Sequence, residues 1–334
     1  MNERNLLLNP YWEAKDLGQA IPNSPHAVSV ALPRWKDVIA YEEKEPECIN
    51  LLQAIYPRFG FNPLVAQIAQ KALNAYGHQG HSAWPYPNIA TAQKAKKHSE
   101  RAIHNLQAVI KEISGLQCLI VNEQGTPSAK AFWQHTGLGA SSRQAAIALN
   151  KEPKPLLNQA KKAKQLIRER LAKIYGCDAA LIHLHPSGMA ALETAIETLL
   201  RLSPTKSSLQ LGFPYVDVLK LPQEIFQGSH LILNNDSKYI ATQLDEIKPS
   251  ALIVELPSNP MLQCVDLPMV SKLAHDRGIP VIADDTIGSA INIDPLPYAD
   301  LIFSSLTKSF AGSEDIMAGS LVISPESRWK ELLR

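Results

Sequence analysis

The chain of 334 residues has only four cysteines, Cys48, Cys118, Cys177 and Cys264, and no two of them stand in a CxxC spacing. That scatter argues against a disulfide framework and against a zinc site, and it fits reduced thiols in a cytoplasmic protein. Long apolar runs are missing too. No window approaches the roughly 20 apolar residues that a membrane span needs, and the opening MNERNLLLNPYWEAKD has too short an apolar stretch for a secretory signal. Charge of one sign is also lacking: 33 Lys and Arg face 32 Asp and Glu, a formal net charge of +1, with no single-sign block. Neither a nucleic-acid footprint nor a polybasic membrane surface is therefore expected. Fixed-period repeats and low-complexity tracts are absent as well. What remains is small-molecule chemistry on an ordinary globular chain, 45% hydrophobic, long enough for a large core and more than one structural unit.

Residues 1–65 are rich in proline and turn formers and read as an extended arm with one short alternating strand, AVSVAL. A second region, 66–155, opens with two helical patterns, PLVAQIAQKALNAYG and ATAQKAKKHSERAIHNLQAVIKEISG. Between them HQGHSAWPYPN reads as an aromatic loop that packs on its own domain, with a substrate lid as the alternative. LQCLIVN and the segment around AKAFWQHTG are expected to be strands. A third region, 156–334, starts with a basic amphipathic helix, NQAKKAKQLIRERLAKIYG, ending on Gly176 at its C-cap. It continues as an alternation of short apolar runs and helices: AALIHL, MAALETAIETLLRL, SLQLGF, HLILNN, ALIVELP, PMVSKLAHDRG, IPVIADD, ADLIFSSL and GSLVIS. Runs of this kind are strands buried on both faces, so the fold class expected is α/β, a mostly parallel sheet sandwiched by helices.

In such a sheet ligands bind beyond the carboxyl ends of the strands, so the polar residues that close each run carry the chemistry. Those residues are Asp284, Asp285 and Thr286; Glu255, Ser258 and Asn259; Ser304, Ser305, Thr307 and Lys308; and His183, His185 and Ser187, the last leading into a helix through Gly188. A helix start with a capping hydroxyl favours an anion. A phosphate at a helix end, a buried carboxylate and a strand-end lysine together suggest pyridoxal 5'-phosphate, which needs an amine to link to it, an acid to keep its ring nitrogen protonated and donors for its phosphate. His183 and His185 share one side of a strand, but with no third ligand nearby they read as packed or hydrogen-bonded side chains. The GLG at 137–139 lacks the context of a dinucleotide fingerprint.

The stretch from ELPSNP to GSLVIS, with its Asn-Pro turn, Asp-x-Thr strand end and Ser-x-Thr-Lys motif, and HPSGMAALETA resemble the Cys/Met-metabolism pyridoxal-phosphate enzymes. HAVSVALPRWKDVIAYEE, YPRFGFNP, WQHTGLGASSRQA and GFPYVDVLKL resemble its fungal-type cystathionine gamma-synthase branch, so the resemblance covers roughly residues 20–330. It implies the fold type I, aspartate-aminotransferase-like architecture. It makes Lys308 the Schiff-base lysine and Asp284 the partner of the pyridine nitrogen. Ser305, Thr307, Ser187 and the backbone of Gly188 and Met189 would hold the phosphate, Tyr215 would stack on the ring and Asn259 would meet its hydroxyl. Tyr215, Asp284 and Lys308 would be the catalytic residues. Val216 and Asp217 follow Tyr215 where the wider family has Tyr-Gly-Gly-Thr. Tyr56 and Arg58 match a Tyr-x-Arg pair that reaches a neighbouring subunit's phosphate, which implies a homodimer or homotetramer with shared sites.

The activity the resemblance implies is gamma-replacement on O-succinyl- or O-acetyl-homoserine with L-cysteine to give cystathionine. Related homoserine-ester sulfhydrylation and cystathionine lysis are the nearest alternatives. Family members continue into a C-terminal domain whose arginine grips the substrate carboxylate; no residue here matches it. The expectation is thus a chain without that domain, with a non-catalytic cofactor binder as a further alternative.

Overall fold

The computed structural model describes residues 4–334, so the first three residues of the expected arm lie outside it. The chain clusters into two compact units. Unit 1 comprises residues 1–126, 139–153 and 311–316, and unit 2 comprises 127–138, 154–310 and 317–334.

In unit 1 the expected AVSVAL strand shrinks to a two-residue ladder, β1 (Ala20–Ile21) against β2 (Ser29–Val30), followed by a helix at Trp35–Glu42. The arm is held by His26, buried, whose Nε2 stands 2.5 Å from Glu152 Oε1 and whose Nδ1 stands 3.0 Å from Ser142 Oγ. The main sheet of this unit is antiparallel, in the order β3 (Ser82–Tyr86), β5 (Leu116–Val121), β4 (Ala108–Ile113). Two expectations fail here. HQGHSAWPYPN is not a loop: its SAWPY is β3, an edge strand, the position where Pro85 is tolerated. The second helical pattern stops at Ala102, and AVIKEI is β4, paired along its whole length with β5 and ending in a two-residue turn, Ser114 (φ 53°) and Gly115 (φ 88°). Positive φ at both turn residues matches the twist of a tight hairpin. α1 (Pro63–Tyr76) starts with Asn62 accepting from Leu64 N–H at 2.9 Å and Pro63 at its first position. Its buried face, Leu64, Val65, Ile68 and Ala72, packs on Ile113, Cys118 and Ile120 of the sheet. α2 (Ile89–Ala102) also lies on this unit's sheet.

Unit 2 holds seven strands in the order β6 (Ile182–His185), β12 (Gly319–Ile323), β11 (Leu301–Ser305), β10 (Val281–Asp284), β9 (Leu252–Glu255), β7 (Ser208–Leu211), β8 (Ser229–Ile232). All neighbours are parallel except β12, which runs antiparallel to both β11 and β6. The expected mostly parallel sheet is therefore present. AKAFWQHTG is not a strand: Thr126–Thr136 is helix α3, with Ala129, Phe132, Trp133 and Thr136 buried at helical spacing. α4 (Leu157–Tyr175) ends as expected on Gly176 at φ 69°. α5 (Gly188–Leu200), α6 (Val216–Ile225), α7 (Ser237–Ile247) and α8 (Leu267–His275) complete the layers.

The sheet is covered on both faces. One apolar cluster joins Leu171 and Ala172 of α4 and Val270 and Ala274 of α8 to Val254, Ala283, Ile302 and Val322. The other joins Leu192, Ala195 and Leu199 of α5 and Val218 and Leu221 of α6 to Ile253, Ile282, Phe303 and Leu321. Successive strand residues alternate between these clusters, as a pleated strand buried on both sides requires.

At the amino end of β11 the buried Asp300 fastens three segments. Its Oδ2 accepts from Val281 N–H at 2.8 Å and faces His275 Nε2 at 2.9 Å, and its Oδ1 accepts from Ser327 Oγ at 2.7 Å. Asp300→Ala leaves the buried Val281 N–H without its acceptor and frees the half-buried His275 and Ser327, and is expected to cost about 3 kcal/mol in a urea melt. Asp300→Asn, which keeps most of the hydrogen bonds, should cost about half as much.

Candidate active site

The carboxyl ends of β9, β10 and β11 lie side by side in unit 2. Register pairs Glu255 with Asp284 and Asp284 with Phe303, and parallel partners project to the same face, here the one covered by α5 and α6. Ser305 follows on that same face, at the point where β11 turns. Lys308, half-buried, sits in this turn, its backbone N–H donating to Ser305 O at 3.1 Å. Thr286 ties two strand ends together: its N–H donates to Asp284 Oδ1 at 3.0 Å and its Oγ1 accepts from Ser305 N–H at 2.9 Å.

Burial sets the electrostatics. Asp284 is pushed up to about 8, first by desolvation and then by the charge of Glu255, against the opposing Thr286 hydrogen bonds. Glu255 is pushed up to about 7 by burial, against the N–H groups of Tyr215 and Asn259, which donate to it. Tyr215 N–H reaches Glu255 Oε2 at 2.7 Å. One carboxylate thus anchors the main chain of two expected ring contacts and lies beside the expected ring-nitrogen partner. On the opposite face Asp285, fully buried and pushed up to about 6 by burial, accepts from Tyr175 Oη at 2.8 Å. Burial first, and then the Asp285 charge and hydrogen bond, keep the Tyr175 phenol protonated well above its ordinary range.

α5 begins against the end of β11. A Cβ on Gly188 would lie 3.0 Å from Ser305 Cα, so glycine lets the helix start approach the strand end. Ser187 caps α5, its Oγ accepting from Ala190 N–H at 3.1 Å and donating to Gly137 O at 3.0 Å. The N–H groups of Gly188 and Met189, in the first turn, have no intrahelical acceptor by construction. Thr307 Oγ1 is likewise engaged with the backbone, accepting from Ala318 N–H at 3.1 Å. Of the hydroxyls expected on a phosphate, those of Ser187 and Thr307 therefore already brace the local backbone. Gly319 completes the cradle from β12: a Cβ there would lie 2.1 Å from Ser187 O and 2.6 Å from Gly188 N. Gly319→Ala is expected to push the helix start off the sheet, at a cost of about 1–3 kcal/mol. It should also weaken pyridoxal-phosphate binding at least tenfold in a fluorescence titration.

These residues fit the cofactor expected from the sequence. Two in-register carboxylates, both pushed toward the neutral form, make a place where a ring N–H cation relieves their repulsion. A helix start with open amides supplies the anion end. Lys308, Asp284, Ser305, Gly188, Met189, Ser187, Thr307, Asn259 and Tyr215 all belong to unit 2, while Tyr56 and Arg58 belong to unit 1. There Tyr56 O accepts from Phe59 N–H at 2.8 Å, and the Arg58 guanidinium lies 4.9 Å from the Phe59 ring centre. Among the described residues no cluster of metal-ligating side chains forms, and His183 and His185 are half-buried on β6, held below the ordinary histidine range by burial. Glu255 stood in the sequence as one strand-end acid among several. Its place beside Asp284 follows from register alone, although an acid closing an otherwise apolar strand was the available signal.

Comparison with known proteins agrees with this geometry. The family described as Cys/Met metabolism PLP-dependent enzyme matches residues 159–334, and the N-terminal domain of fungal trans-sulfuration enzymes matches residues 64–141. An L-2-amino-4-chloropent-4-enoate dechlorinase/desaturase from Streptantibioticus cattleyicolor is 31% identical over 332 residues, covering 94% of this chain and 65% of that protein. The cystathionine gamma-synthase-like protein ankD of Aspergillus thermomutatus is 29% identical, covering 94% and 65%. Cystathionine gamma-synthase of Saccharomyces cerevisiae is 25% identical, covering 96% and 73%. The chain thus spans 65% of the length of the first two of these relatives. With the in-register acids, the strand-end lysine and the open helix start in one sheet, and with more than half of its residues matched, the chain belongs to the Cys/Met metabolism family of enzymes that depend on pyridoxal 5'-phosphate.

Proposed function

We propose that this chain binds pyridoxal 5'-phosphate through Lys308 and takes part in gamma-replacement on an O-acyl-homoserine, succinyl or acetyl, with L-cysteine, giving cystathionine. The observation that supports this most is the buried pair Glu255 and Asp284, in register and both raised, next to the strand end that presents Lys308. When bound, the cofactor supplies an electron sink for the two carbanions that gamma-replacement needs.

The chain's own residues supply the rest. Lys308 Nζ moves the substrate protons, first from the alpha carbon and then from the beta carbon, before the gamma ester leaves and the cysteine sulfur adds. Asp284, sharing its burial with Glu255, holds a proton on the ring nitrogen. The N–H groups of Gly188 and Met189, with the hydroxyls of Ser305 and Thr307, take the phosphate, and Ser187 serves it by capping the helix start that presents those amides. Tyr215 stacks on the ring and Asn259 meets its hydroxyl. Tyr56 and Arg58 reach the phosphate of a second copy, so the working unit is a homodimer or homotetramer in the cytoplasm. Arginine suits that reach through its two parallel donors.

The test is product analysis. Protein loaded with the cofactor is given each homoserine ester with cysteine, with sulfide or with neither. Cystathionine from ester and cysteine is expected. Homocysteine from sulfide alone would reassign the chain to a sulfhydrylase, and ketoacid without a nucleophile would reassign it to a lyase. Bound cofactor with no product from any ester would leave a non-catalytic binder.

A further inference from the structure

The C-terminal end of α3 touches the starts of two helices at once. His135 and Asp217 form a buried pair, His135 9% and Asp217 2% exposed, with the imidazole Nδ1–H donating to Asp217 Oδ1 across 3.0 Å. Asp217 lies in the first turn of α6, two residues after Tyr215, the cap residue whose N–H is held by Glu255. Two residues after His135, Gly137 O accepts the hydroxyl of Ser187, the cap of α5. Gly137 has φ +61°, and a Cβ on it would lie 2.2 Å from Ser187 Oγ and 3.1 Å from Met189 Cβ. His135 and Gly137, with one residue between them, thus fasten the start of α6 by a buried side-chain hydrogen bond and the start of α5 by a backbone carbonyl.

We propose that His135 and Asp217 are a positioning pair that sets Tyr215 over the cofactor ring, and that Gly137 sets the phosphate-binding turn at Ser187 to Met189. This rests on the reading of Tyr215 and of the α5 start given above. Asp217 is an acceptor only, and its carboxylate is buried. A partner that donates from a fixed direction therefore fixes the rotation of the first turn of α6, and with it the Tyr215 ring. Asp217 and His135 stand 82 residues apart in sequence. The bond ties α3 to α6 rather than stiffening either helix alone.

The experiment loads parent, His135→Ala, His135→Gln and Gly137→Ala proteins with pyridoxal phosphate and reads the dissociation constant by fluorescence and the circular dichroism of the visible band. His135→Ala is expected to bind at least tenfold more weakly and to lose more than half of the visible dichroism per bound cofactor, because the ring is no longer held at one angle. His135→Gln, which keeps a donor toward Asp217, is expected within threefold of the parent with its dichroism restored. A merely structural role would lower melting temperature in both variants without changing the dichroism of the cofactor that binds. Folded His135→Ala with unchanged affinity and dichroism overturns the proposal, as does equal loss in His135→Ala and His135→Gln. Should His135→Ala fail to fold, Gly137→Ala carries the test against pyridoxal and pyridoxal phosphate. At least tenfold weaker binding of the phosphate form, with pyridoxal within twofold, is expected, and equal effects or none overturn the proposal. A parent protein that binds no cofactor overturns the functional reading itself, whereas a binding parent with unaltered variants overturns only this inference.

Discussion

Lys308→Ala is expected to abolish the visible absorption of the cofactor-loaded protein and to lower product formation by on the order of 10³-fold. The reason lies in where the amine stands. β11 carries Leu301, Ile302 and Phe303 through the core, and the turn that closes it at Ser305 brings Lys308 out half-buried, past the strand end that neighbours Asp284. Other lysines stand elsewhere: those of α4 lie on a solvated helix face, and Lys272 pairs with Asp276 on the surface of α8. Loss of the side chain removes both the covalent attachment and the proton carrier, and no neighbour of the same chemistry stands in the same turn to replace it. The fold should survive the change, because the side chain leaves the strand in a turn and fills no part of the apolar core. A melting temperature unchanged alongside a lost visible band separates chemistry from stability. A band that survives Lys308→Ala, or borohydride reduction that fixes the cofactor on another residue, would remove Lys308 from the reading.

The strands of unit 2 that carry the site were legible because each is a short apolar run closed by a polar residue: VIAD ending on Asp284, LIVE on Glu255, LIFSS on Ser305. Burial on both faces forces such runs, and the helices between them force parallel pairing. The first half was less readable. AKAFWQHTG has the aromatic content of a strand, and its helical identity rests on the buried spacing of Ala129, Phe132, Trp133 and Thr136. AVIKEI continues the helical pattern before it, because its own period is ambiguous over six residues. Its strand identity comes from pairing with β5, a contact that the local pattern does not encode. For the site the division is similar. The lysine, the ring acid and the helix start sit in contiguous motifs, but the pairing of Glu255 with Asp284, the Tyr175–Asp285 bond and the His135–Asp217 bond join residues far apart in sequence. Register and packing create them, so composition and spacing do not reveal them.

The same buried acids govern stability without the cofactor. Asp284, at about 8, Glu255, at about 7, and Asp285, at about 6, all lie above their ordinary carboxylate values, chiefly through desolvation. Between the ordinary range and those values the folded chain holds protons that the unfolded chain has released. Their contribution is therefore fully present below about pH 4 and is lost as pH rises through 6 to 8. At the acid end Asp37 runs the opposite way, held down by the Arg34 guanidinium beside it, so its contribution fades as pH falls below the ordinary range. The cofactor-free protein is accordingly expected to melt highest near pH 4 and to lose stability steadily toward pH 8. Asp284→Asn removes the largest of these ionisations. At pH 8 the cofactor-free variant should be more stable than the parent by on the order of 4 kcal/mol, a rise of roughly 10 °C in melting temperature, and the two should nearly coincide only near pH 4. The cost appears in the loaded protein, where an amide cannot hold a cationic ring nitrogen, and turnover should fall by about 10²-fold or more. Scanning calorimetry of parent and variant from pH 4 to pH 8, with and without the cofactor, reads both effects. Equal melting curves at pH 8 would mean that Asp284 is not held neutral by burial, and an Asp284→Asn enzyme as active as the parent would mean that the acid does not face the ring.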